Sequence, residues 1–174
     1  MLSRQITAVG TAVLLLSTSA AAQTARWEFG TFGNYTNFGD LVQLEDKLGA
    51  GGRLGFFLLR RIELEAATSV TSTTGTSALI GDVTYLPVRG RLLYNQPMFG
   101  GLALLFGASY FRNQYSTAGT SSSDTGVGGL LGLRLNLSRR FALRVDGTMD
   151  YFNVTGAATT TSERNLGLEA GLSL

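Results

Sequence analysis

Glu63 and Glu65 stand two residues apart in RRIELEAA (60–67). In an extended chain that spacing sets both carboxylates on one face, where they could act as a general acid/base pair. Arginines in other segments, Arg89 and Arg91 in PVRGRL and Arg144 in ALRVDG, offer the competing reading, in which the acids are counter-ions. The second reading is the stronger one. The chain has no histidine, so Ser-His-Asp catalysis, histidine–metal sites and the usual general base are all missing. It has no cysteine either, which rules out a disulfide scaffold. GAGGRLG (49–55) and GVGGLLG (126–132) look like phosphate-cradling loops. Neither keeps the register of G-x-G-x-x-G, and both fall inside extended segments rather than before helices. No enzyme activity and no cofactor are expected.

The charges lie in elements of period two. In RRFALRVDGTMDYF (139–152), Phe141, Leu143, Val145, Met149 and Tyr151 fall on one side, and Arg144, Asp146, Thr148 and Asp150 on the other. Eight extended segments of this kind are readable, at 26–38, 46–59, 61–72, 82–95, 101–116, 125–138, 140–153 and 164–174. The connections alternate in kind. Tight ones lie around Arg60-Arg61, Asn95-Gln96-Pro97 and Ser138-Arg139. Longer polar ones run through 37–43, 68–82, 116–126 and 154–165, rich in Ser and Thr after the first. Short periplasmic turns and long outer loops are the rhythm of an outer-membrane barrel. The expected fold is all-β: an eight-stranded antiparallel up-and-down transmembrane β-barrel.

Which face meets lipid follows from composition. One row carries Trp27, Phe29, Leu54, Phe56, Leu64, Leu92, Leu104, Leu133, Leu143 and Leu168, with no charge in its central stretches. Trp27, Tyr35, Tyr94, Tyr110, Phe141 and Tyr151 fall towards strand ends, where an interfacial aromatic girdle would sit. The other row is glycine plus charge. An eight-stranded barrel has a cramped interior in which small residues make room for large ones, so this row is placed inside. Its charges, Arg53, Glu63, Glu65, Arg89, Arg91, Arg134, Arg144, Asp146 and Glu169, share a height above the short turns. With Glu28 and Asp150 added, they are expected to form one near-balanced belt that pairs internally. A soluble lipocalin-like barrel would need the opposite arrangement, with the apolar row around a ligand cavity.

Residues 1–22 read as a signal peptide: Arg4, an apolar Ile6–Leu16 run and Ala20-Ala21-Ala22 at the cleavage site. Residues 23–174 form the barrel, with no further domain expected. Removing Arg4 lowers the formal net charge from +2 to +1, and Lys47 is the only lysine, so nucleic acid is not an expected partner.

In the signal peptide, the eight alternating segments, the short-turn/long-loop rhythm and the terminal RNLGLEAGLSL, the whole mature chain resembles the small eight-stranded outer-membrane barrels. These are typified by the OmpA transmembrane domain and its OmpX-like relatives. The resemblance implies an internal charge network and insertion by the outer-membrane assembly machinery. The chain would then be a monomer in the bacterial outer membrane, with lipid around it and any extracellular partner unidentified. The expected role is non-enzymatic, structural or surface-interacting. Two alternatives are a narrow pore gated by the Arg/Glu/Asp belt and a barrel that binds a lipid or small ligand.

Overall fold

The computed structural model describes residues 27–76, 81–117, 120–155 and 160–174. The signal-peptide reading of residues 1–22 lies outside them. Strong alternation gives eight strands: β1 (Trp27–Asn37), β2 (Lys47–Leu59), β3 (Ile62–Thr74), β4 (Asp82–Pro97), β5 (Leu102–Thr117), β6 (Thr120–Asn136), β7 (Ala142–Thr155) and β8 (Thr160–Ser173). Each pairs antiparallel with its sequence neighbours, and β1 pairs with β8, closing the barrel. Closure leaves no unpaired edge, which is the condition for a sheet to sit in lipid.

The apolar rows face outward, as their composition requires. Leu48 is 76% exposed and Tyr110 63%, whereas Arg144, Asp146 and Glu63 are fully buried in the lumen. A lipocalin-like interior is therefore excluded. The interior is less purely glycine and charge than its row suggests, since Phe32, Tyr85, Leu93, Leu105, Phe111, Leu130 and Phe152 also point in. The inward glycines make room for the rings. A Cβ on Gly126 would stand 2.6 Å from Phe111 Cζ, and one on Gly51 would stand 2.6 Å from Phe32 Cζ. The space these two glycines leave is taken by the rings.

Two boundaries move from their sequence positions. The β4–β5 turn lies at 98–101, beyond Asn95-Gln96-Pro97, because Gly100 and Gly101 both adopt positive φ (60° and 80°). The Ser/Thr runs expected as loops are largely strand. Thr117 pairs with Thr120, and Thr155 with Thr160, so these hairpins continue outward well past Tyr110 and Tyr151. Threonine suits extended backbone, and in water an outward polar row carries no cost. The β3–β4 ladder skips Ser69 and Val70 opposite Leu86 and Pro87, because proline has no N–H to donate.

Candidate functional site

Side chains pack across the lumen at two heights. The lower closure is the charge network. Arg53 Nη1 lies 2.9 Å from Asp146 Oδ2, and Arg144 Nε lies 2.7 Å from the same oxygen. Arg144 Nη1 then reaches Glu65 Oε2 at 2.5 Å. Glu65 Oε1 accepts from Arg91 Nη1 at 2.9 Å, and Arg91 Nη2 donates to Glu169 Oε1 at 2.6 Å. Arg53, Asp146, Arg144, Glu65, Arg91 and Glu169 thus form one unbroken chain of alternating charge contributed by β2, β7, β3, β4 and β8. Every member is about 95% buried or more. Charges removed from water this completely persist only when paired and hydrogen-bonded, and here each cation touches at least one acid.

The single belt expected from the sequence is divided. Arg89 pairs separately with Asp150, Nη2 to Oδ2 at 2.8 Å. Arg134 pairs with Glu28 nearer the turns, and its guanidinium also lies over the Phe57 ring, 5.6 Å from the centroid. Glu63 joins no ion pair among the described residues. Its Oε2 accepts from Asn95 Nδ2 at 3.1 Å. The barrel's shear accounts for the division, because residues equally far from a turn on different strands do not end at one height. The two carboxylates of RRIELEAA therefore serve different ends: Glu65 bridges two arginines, and Glu63 holds an asparagine.

The upper closure was not read from the sequence. The β1–β2 connection, which includes a 3-10 turn at Asp40–Val42, folds back into the mouth. Phe38 and Leu44 are buried there against Val83 and Tyr85 of β4. The Phe38 and Tyr85 rings meet edge-on at 5.0 Å, and Tyr115 lies 5.2 Å from Tyr85 on the far side. Polar ties fix the segment on both flanks. Gly39 N donates to Asn165 Oδ1 at 3.0 Å and Leu41 N to Glu163 Oε2 at 2.9 Å. Glu45 N donates to Thr74 O at 2.9 Å. Asp46 accepts from Asn37 Nδ2 at 2.6 Å, Phe38 N at 3.0 Å and Tyr35 OH at 3.1 Å. Burial works against its charge, but these three donors outweigh it and hold the carboxyl below its ordinary value. The signal that could have found this plug is the placing of Val83 and Tyr85 on the inward row of β4, in step with Arg89 and Arg91.

Between the closures lies a polar cavity of about 10 Å³, bordered by Asn34, Thr36, Arg89, Thr148, Asp150, Asn165 and Glu169. Asn34 Oδ1, Asp150 Oδ1 and Asn165 Nδ2 have no hydrogen-bond partner among the described residues. Space and polarity suit one buried water and no larger guest. Among the described residues, no group of His, Cys, Asp and Glu is placed to hold a metal ion.

The aromatic residues named from the sequence fall into two sets. Trp27, Tyr94 and Phe141 lie towards the turn end, and Tyr35, Tyr110 and Tyr151 towards the outer end. Trp27 packs on Phe56 at 4.7 Å and Tyr94 on Phe106 at 5.2 Å. Phe99, 75% exposed in the β4–β5 turn, extends the lower set.

No curated protein matches the chain. Among solved structures, the crystal structure of Neisserial surface protein A superposes with a TM-score of 0.68 at 14% identity, covering 86% of this chain and 97% of that one. The outer membrane protein OprG from Pseudomonas aeruginosa gives 0.55 at 11% identity, covering 84% and 93%. The N-terminal β-barrel domain of Pseudomonas aeruginosa OprF gives 0.51 at 16%, covering 84% and 97%. At such identities the likeness is one of fold. The model of the outer membrane protein beta-barrel domain matches residues 8–173, so this chain belongs to that family and is a protein of the bacterial outer membrane.

Proposed function

We propose that this chain is a closed, non-enzymatic outer-membrane barrel that acts through its outer rim and its wall. The carrying observation is the six-residue ion chain, from Arg53 to Glu169, across the middle of the lumen. Opening a path through it would separate buried charges at a cost of several kcal/mol per ion. The aromatic plug above adds a second closure in series. The outer ends of β5 and β6 support a surface role. They present Gln114, Ser116, Thr117 and Ser121–Ser123 on paired, rigid backbone beyond the girdle. Binding residues on a rigid scaffold need little ordering on contact.

The test is electrical. The refolded barrel, its folding confirmed by heat-dependent gel mobility, is inserted into a planar bilayer at neutral pH. Insertion without discrete openings is expected. Reproducible openings of the unmodified chain would overturn the closed-barrel reading in favour of the narrow pore.

A further inference from the structure

The glycines of this barrel are of two kinds, and only one kind is explained by packing. Several inward glycines are sterically required. A Cβ on Gly128 would lie 2.6 Å from Met149 O, and one on Gly132 would lie 2.8 Å from Val145 O. Outward glycines are not. A Cβ on Gly129 would meet only Gly107 O at 3.8 Å, and one on Gly147 only Leu131 O at 3.7 Å. Glycine weakens a strand interior, where it marks a bulge, a tight bend or the close approach of a ligand or another backbone. The β6–β7 register runs unbroken from Gly126↔Phe152 to Asn136↔Ala142, so no bulge explains this pair.

Gly129 and Gly147 instead form the floor of a hollow of about 680 Å³ on the lipid-facing wall. Phe106, Leu131, Met149 and Leu166 stand around it. Its outer end meets Tyr151, and Tyr151 pairs across the β7–β8 ladder with the exposed Arg164. On the other flank, Arg112 of β5 is exposed above Tyr110 and donates to Ser123 Oγ at 3.2 Å. The floor is four residues below Tyr151 at Gly147 and four below Thr125, the cross-strand partner of Arg112, at Gly129. That is roughly 10 Å down a tilted strand, within the hydrocarbon.

We propose that this hollow holds one acyl chain of a lipid with an anionic, phosphate-bearing headgroup in the outer leaflet. The chain lies over Gly129 and Gly147, and the phosphate sits between Arg164 and Arg112. The apolar walls select a hydrocarbon, and the cationic rim selects the sign of the headgroup. A second copy of the barrel would fit the glycine floor, but it would bring the arginines of two rims together.

The experiment uses the refolded barrel in mixed phosphatidylglycerol and phosphatidylcholine, released from detergent and weighed intact. The expected wild-type species is a monomer retaining one phosphatidylglycerol in preference to phosphatidylcholine. Gly129→Leu with Gly147→Leu fills the hollow, with each Cβ no closer than ordinary van der Waals contact to the backbone, and should lower retention at least about fivefold. Arg164→Gln should lower the preference for phosphatidylglycerol and leave total retention less affected. Equal retention by wild type and the filled variant would overturn the proposal. So would a wild-type dimer that the filled variant dissociates, which would assign the hollow to a second copy. Heat-dependent gel mobility shows that each variant has closed its barrel, and a variant that fails is replaced by Gly129→Ala with Gly147→Ala.

Discussion

Arg144 Nη1 and Glu65 Oε2 meet at 2.5 Å across the lumen although 79 residues separate them in sequence. Their contact joins β7 to β3, which share no backbone ladder, so the centre of the barrel is held by side chains alone. Arg144→Ala leaves Glu65 with Arg91 only and Asp146 with Arg53 only. Removing one partner of a buried pair costs about 3–5 kcal/mol, and that loss is expected in urea unfolding of the refolded barrel. A change below about 1 kcal/mol would mean that water has replaced the guanidinium and that the network is not structural.

Conductance should respond to the two closures together. Arg144→Ala by itself breaks the ion chain, but the plug still stands above it. Openings are expected only when Arg144→Ala is combined with Phe38→Ala and Tyr85→Ala. Discrete openings from Arg144→Ala alone would show that the β1–β2 segment does not seal the mouth.

Acid should loosen the plug from its Asp46 side. The Asp46 carboxyl is held below the ordinary aspartate value in the folded barrel. A depressed folded value stabilises the native contacts above the unfolded value and loses that contribution as pH falls through the folded one. Amide exchange at Phe38, whose N–H donates to Asp46, should therefore be slow from neutral pH down to about 4 and should speed below it, relative to the intrinsic rate. Asp46→Asn should abolish that acid-linked step. An identical step in the variant would assign the titration elsewhere.

The two kinds of glycine should separate in stability. A Cβ on Gly171 would stand 2.7 Å from both Cα and Cβ of Phe32, at the β1–β8 seam that closes the barrel. Gly171→Ala should cost about 1–3 kcal/mol or slow closure, as overpacking does. Gly129→Ala, with open space on the lipid side, should be neutral or slightly stabilising. The check is the urea midpoint of each variant beside wild type, and equal midpoints would refute the distinction.

The strands, the lipid face and the inward pointing of Arg144 and Asp146 were legible in the sequence, because a period of two is a local property and lipid tolerates no charge on one row. Connection length was partly hidden. Polar Ser/Thr runs look like loops, but pairing of Thr117 with Thr120 depends on a partner strand that only the fold supplies. The grouping of the charges was hidden for a similar reason. Counting residues from a turn gives height on one strand, and the shear of the closed barrel shifts that height from strand to strand. Hence Glu63 stands apart while Glu65 bridges Arg91 and Arg144. The plug lay furthest from sequence reach, since Phe38 meets Tyr85 only because the barrel brings β4 opposite the end of β1. Sequence alone determined which side of each strand faces lipid, because that depends on alternation along one chain. Tertiary structure decided which inward residues touch, because that depends on the register and shear of eight strands closed on one another.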